Sequence, residues 1–173
     1  MKFLPLDIDG VIGIIQDSNS DLRGSMTRVW DSNPTLGTFN LTQSSFVTNP
    51  TLGTLRGLHY QVEPFSENKV VECVFGKVFD VVVDLRKDSP TYGSHVEVIL
   101  GPSESYLGLI VPAGCAHGYL TLESNSMLLY FMDKVYSTEH SHGLLWSDPN
   151  LSIKWPFNPL LISARDSEWP LLI

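Results

Sequence analysis

A chain of 173 residues, 43% hydrophobic and 17% charged, is long enough to close a hydrophobic core and has the composition of a folded globular protein. Its formal net charge of -8 argues against a nucleic-acid surface, which needs a surplus of Lys and Arg, yet leaves room for a small phosphorylated ligand held by a few focused arginines. The two cysteines, Cys73 and Cys115, have no zinc spacing and are too few for a disulfide framework, so they read as free thiols.

The first residues, MKFLPLDIDG, carry acids and a proline where a signal peptide would be apolar. No apolar run approaches the ~20 residues of a membrane span, and a cytoplasmic protein is expected. The stretch from Ser32 to Leu52, rich in Thr, Ser, Asn and Pro, reads as loop with one edge strand. From Lys69 to Leu85 the chain is dense in Val and Phe with Gly76-Lys77 in the middle, which predicts two strands joined by a tight turn. In the second of these, Phe79, Val81, Val83 and Leu85 share one face while Asp80 and Asp84 lie on the other. Lys87-Asp88-Ser89-Pro90 is a turn cluster. Short strands are then predicted at His95 to Leu100, Leu107 to Val111, Gly118 to Leu122 and Met127 to Met132, separated by Gly, Pro and Asn turns. Short helical turns are placed after Leu151 and near Arg165. Many short strands at near-regular spacing, with no long amphipathic helix, predict an all-β antiparallel sandwich or barrel. With no repeat, low-complexity tract or linker, residues 1–173 read as one domain.

Residues of catalytic type fall beside these strands: Arg56, His59 and Lys69, then His117 and Tyr130. Inward positions of different strands on a rolled sheet converge on one cavity, and this set would suit abstraction of a proton beside a carbonyl. The His takes the proton, the Lys stabilises the enolate oxygen and the Tyr returns a proton from another direction. Periodicity alone does not show that they converge. Each has a plainer reading: a surface Arg and half-buried His around Gly57, a solvated Lys69 at a strand start, a His117 capping backbone in a loop after Gly114-Cys115-Ala116, a core Tyr130. His95, His140 and His142 read as surface or loop residues.

The segments LRGLHYQ (Leu55 to Gln61), Lys69, GKVFDVVVDLRKDSPTYG (Gly76 to Gly93), VPAGCAHGYLTL (Val111 to Leu122) and WSDPNLSIKWP (Trp146 to Pro156) come in one order and register, with DLRG (Asp21 to Gly24) and ISARD (Ile162 to Asp166) at the ends. Together they resemble the dTDP-4-dehydrorhamnose 3,5-epimerase family over nearly the whole chain. The resemblance implies a cupin-type jelly-roll, a homodimer, no metal and no cofactor, and inversion of C3, C5 or both in a dTDP-4-keto-6-deoxyhexose. It makes His59 the catalytic base, Asp166 the carboxylate that orients it, Tyr130 the proton donor on the opposite face of the sugar, and Lys69 the group beside the C4 oxygen. Arg56 and His117 match substrate-binding positions. Arg23 and Arg165 match positions that hold the nucleotide diphosphate.

Departures from the family pattern gather on the nucleotide side. Met26 and Arg28 stand where an aromatic and a Glu are usual, and a Gln-x-Asn triplet is replaced near Ser44-Ser45-Phe46. Phe131 follows Tyr130 in place of Lys, the tandem aromatic is reduced to Val135-Tyr136, and Ser141 takes a Glu position. Proton abstraction is therefore better supported than the nucleotide. Competing readings are a sugar 3,4-ketoisomerase or related epimerase on another nucleotide-linked keto sugar, and a non-catalytic sugar-nucleotide binding module. A metal-dependent cupin oxygenase would need a set of His and carboxylate ligands, and the HxH spacing occurs only at His140-Ser141-His142.

Overall fold

A computed structural model describes residues 1–31, 37 and 39–173. The first six-stranded sheet has the order β1 (Lys2–Pro5), β2 (Ile12–Ile15), β10 (Gly108–Val111), β7 (Lys69–Phe75), β12 (Ser126–Met132), β5 (Gln43–Asn49). The second sheet has the order β13 (Ser141–Gly143), β6 (Thr54–Gln61), β11 (Cys115–Thr121), β8 (Val78–Asp84), β9 (His95–Leu100), with β14 (Leu161–Ile162) parallel to β6. Strands β3 (Ser18–Asp21) and β4 (Gly24–Thr27) form a separate hairpin. A single helical turn, α1 (Ala164–Ser167), follows β14.

The expected tight turn at Gly76-Lys77 joins two strands as predicted, and it is a corner between layers: β7 belongs to the first sheet and β8 to the second. Two features differ from the expectations. His117 is not in a loop but inside β11, which is buried along its whole length. A turn ends at Leu151 and residues 152–155 form no helix, whereas the helical turn near Arg165 is present. The edge strand expected between Ser32 and Leu52 is β5; the loop expected at 32–36 and 38 lies outside the described residues.

The core has three parts. Between the sheets lie Val71, Cys73, Val78, Val82, Leu109, Tyr119 and Leu128. The alternation of β8 then sends Phe79, Val81 and Val83 to the outer face of the second sheet, where Leu144, Leu151, Trp146 and Trp155 cover them. The outer face of the first sheet carries Ile14, Val70 and Ile110 beneath Trp30 and Phe39. A strand covered on both faces reads as a continuous apolar run, which is what VFDVVVD is apart from its two aspartates. Each fully buried Leu or Val here contributes roughly 1.5–3 kcal/mol by removal of apolar surface from water. The free thiols Cys73 and Cys115 are buried, and burial pushes both up to about 12, which keeps them protonated and inert. Among the described residues, no helix is long and apolar enough to cross a membrane.

Candidate active site

Register places the polar side chains of the two sheets opposite one another. In the second sheet His117 pairs with His59 on one side and Val82 on the other, and Tyr119 pairs with Arg56 and Asp80. Directly paired residues share a face, so His59, Arg56, His117, Tyr119 and Asp80 all turn inward. In the first sheet Lys69 pairs with Met132, and Tyr130 with Val71 and Ser45. Lys69, Tyr130 and Ser45 therefore turn inward from the other layer. Between them lies a cavity of about 590 Å³ whose walls include Arg56, His59, Lys69, His117, Tyr130, Arg165 and Asp166.

Asp166 reaches β6 because of the chain just before it. Leu161 and Ile162 pair in parallel with Thr54 and Leu55, and Ser163 then caps α1, its hydroxyl accepting from the Asp166 N–H at 3.1 Å. The turn aims the carboxylate at His59, with Oδ1 2.7 Å from Nε2. Oδ2 accepts from the Gly57 N–H at 3.3 Å and Oδ1 from the Trp169 indole N–H at 3.2 Å. Burial by itself would raise the Asp166 carboxyl, but the hydrogen bond and charge of His59, with the Gly57 and Trp169 donors, outweigh it and hold it below the usual carboxylate range. An ionised Asp166 fixes the His59 tautomer with its proton on Nε2, leaving Nδ1 as the nitrogen that can accept one.

Gly57 makes this approach feasible. Its φ is +132°, and a Cβ there would stand 2.5 Å from the Gly118 Cα. Only glycine fits where β6 and β11 come this close, and the pairing of the two strands shifts register at the same place, between His117 and Tyr119.

His117 forms a second His–carboxylate pair, its Nε2 at 2.8 and 3.0 Å from the two oxygens of Asp80. Asp80 is fully buried; burial raises its carboxyl, and the charge and hydrogen bond of His117 offset only part of that. The His117 ring meets the Tyr130 ring edge-on with centroids 6.0 Å apart. Burial holds the Tyr130 phenol well above its ordinary value, so it keeps its proton at neutral pH. Arg56 donates through Nε to Asn49 Oδ1 at 2.9 Å, and the Tyr119 hydroxyl donates to the same oxygen at 3.1 Å. Arg165 lies over the Trp169 ring at 4.8 Å and donates to the Tyr136 hydroxyl and the Ser141 hydroxyl.

The cavity thus gathers every expected site residue except Arg23. That guanidinium sits on the β3–β4 hairpin, 90% exposed and paired with Asp21 at 2.6 Å. His95 pairs with Glu97, and His140 with Ser137, both away from the cavity walls. The HxH segment is not a loop: it runs from a single 3-10 turn into β13. Among the described residues, no group of three or more His, Cys, Asp or Glu side chains is arranged to hold a metal ion. Sequence reasoning missed Asp80, Asn49 and Trp169. Asp80 had a signal, an acid on the inward face of an apolar strand, which needs a buried partner; Trp169 had none beyond nearness to ISARD.

The sequence model of the dTDP-4-dehydrorhamnose 3,5-epimerases matches residues 5–173. The chain belongs to that family. It is 39% identical to the dTDP-4-dehydrorhamnose 3,5-epimerase of Sinorhizobium fredii over 176 residues, covering 99% of this chain and 90% of the relative. Its fold superposes with a TM-score of 0.93 on the dTDP-4-dehydrorhamnose 3,5-epimerase of Bacillus anthracis crystallised with TDP and PPi, at 34% identity and 99% coverage of both chains. A 3′-monoepimerase of Streptomyces bikiniensis in complex with dTDP-quinovose is similar at TM-score 0.88 and 30% identity, covering 97% of this chain and 86% of that one. The expected cupin-type jelly-roll is the fold observed. Within the epimerase family pattern, two departures fall at the cavity: Ser45 on its wall and Ser141 against Arg165.

Proposed function

We propose that the whole chain acts as one nucleotide-sugar epimerase domain. It inverts one or both carbons flanking the ketone of a dTDP-4-keto-6-deoxyhexose. One observation carries the reading: a His–carboxylate base stands on one sheet while a phenol and an ammonium face it from the other. A sugar ring lying between the layers meets a proton acceptor on one face and a proton donor on the opposite face, which is the geometry inversion requires.

His59 Nδ1 removes the hydrogen α to the ketone, and the imidazolium that forms is stabilised by Asp166. The electron pair moves onto the C4 oxygen, where the Lys69 ammonium stabilises the enolate. Tyr130 then delivers its hydroxyl proton to the carbon from the other side. Solvent exchange restores both groups, and neither redox chemistry nor a net change in atoms is involved. Arg56 and His117 bind the sugar, their directions set by Asn49 and Asp80, and Arg165 takes the diphosphate. The match of the B. anthracis enzyme, crystallised with TDP, supports thymidine as the nucleoside.

A homodimer is part of the same proposal. Arg23 points to solvent on a projecting hairpin whose tip, Leu22, is fully exposed. If Arg23 holds diphosphate as its family position implies, the cavity it serves is that of a second copy. A monomer mass by light scattering would overturn this.

His59→Ala tests the chemistry. It should lower epimerisation by about 10²–10⁴-fold, the usual worth of a general base, with dTDP affinity kept within a few-fold. Normal turnover in this variant would refute the assignment.

A further inference from the structure

We propose that Glu67 is a positioning residue for the reaction, holding the Lys69 ammonium at the spot where enolate charge develops. The inference rests on the reading above that Lys69 stands beside the C4 oxygen.

Glu67 and Lys69 form an ion pair with Nζ 2.8 Å from Oε1, and both side chains are more than nine-tenths buried. Lys69 is the first residue of β7 and lines the cavity, and Glu67 lies two residues before it, outside the strand. The 2.8 Å contact sets the carboxylate beside the ammonium. A lysine has a long flexible stem and a point charge with three donors. One donor directed to Glu67 fixes Nζ and leaves two for an oxygen in the cavity.

Glu67 is itself held. Its Oε2 accepts from Gln61 Nε2 at 2.8 Å, and that same amide donates to the Phe65 and Val135 carbonyls. The Gln61 Oε1 accepts from the Ser137 N–H. Gln61 lies two residues beyond His59 on β6, hence on the same face of that strand. On the other side of Glu67, Asn68 is clamped to Asp133 by two hydrogen bonds of 2.8 and 2.7 Å. The base and the enolate-stabilising cation, which sit on different sheets, are thereby joined through one short relay: His59, Gln61, Glu67, Lys69. Rigid spacing between two groups acting on one sugar is what a small misplacement would spoil.

The test is a double-mutant cycle in the full-length protein, with E67A, E67Q, K69M and E67A/K69M. The readouts are kcat, KM and melting temperature. We expect E67A to lower kcat roughly 10- to 100-fold with KM changed far less, the size of loss that misplacement of a catalytic group gives. E67Q keeps an oxygen for Nζ and should recover most of the rate. In the K69M background, E67A should cost little more, because the group it positions is gone. Equal losses from E67A in both backgrounds would overturn the proposal, since Glu67 would then act through Gln61 and the 133–137 loop alone. An E67A that melts lower with unchanged kcat would do the same. K69M with a normal kcat would instead refute the role of Lys69, and the proposal with it.

Discussion

Tyr130 shows how much a single environment decides. In sequence it is an aromatic in an apolar strand, MLLYFM, and a core role would be unremarkable. In the fold it faces the cavity beside His117, and burial keeps its phenol protonated. In the proposed mechanism Tyr130 is a proton donor that opposes His59 from the other sheet, and this separates two steps. Tyr130→Phe should leave the removal of the α-hydrogen by His59 intact while lowering formation of the inverted sugar by about 10²-fold or more. Following deuterium wash-in and product configuration in the same NMR sample checks this. A variant that inverts at the wild-type rate would show that the proton comes from elsewhere. His59 and Asp166 were legible in sequence only through LRGLHYQ and ISARD, because 107 residues separate the partners of their hydrogen bond. Asp80 and Glu67 were not singled out, since an acid in a run of valines or in a polar loop has no partner visible along the chain.

At the scale of elements, strands with clean alternation or continuous apolar runs could be read: β7, β8, β9, β10 and β12. Among those that could not, the physical causes differ. SNSD and GSMT of the β3–β4 hairpin are almost wholly exposed and carry no pattern to read. CAHGYLT of β11 is buried on both faces, so its small residues imitate a loop and only its second half was recognised. The β7–β8 corner uses a Gly at φ +73°, as a hairpin would, and only the packing of two layers tells them apart. Element β7 also carries a group outside the chemistry. Glu72 alternates away from the cavity to the outer face of the first sheet, beneath Trp30, and neither of its oxygens finds a partner among the described residues. Burial pushes its carboxyl up to about 8, against an ordinary value near ~4.3 in an unfolded chain. Between those values the folded state holds a proton that the unfolded state releases, so this contribution to stability is complete at low pH and is lost as pH rises toward 8. Glu72→Gln removes the ionisation. We expect its melting temperature to gain on the wild type between pH 5 and pH 8.5 by roughly several degrees, since about 1 kcal/mol is worth ~2–4 °C in a chain this size. Parallel curves for the two proteins would show that Glu72 is not held neutral.

For the whole molecule, the all-β class was legible from strand spacing and turn chemistry, and the jelly-roll from family resemblance. What sequence could not supply was the facing of the two sheets, because that depends on register across β6, β11, β7 and β12. The proposed mechanism rests on that facing: one cavity, an acceptor on one wall and a donor on the other, with a keto sugar between. The most direct measurement is incubation of the protein with dTDP-4-keto-6-deoxyglucose in D2O, with C3 and C5 followed by NMR. The mechanism requires deuterium at one or both of these carbons, accompanied by inversion there, and none in the His59→Ala variant. Absence of deuterium from both carbons with the wild-type protein would contradict it.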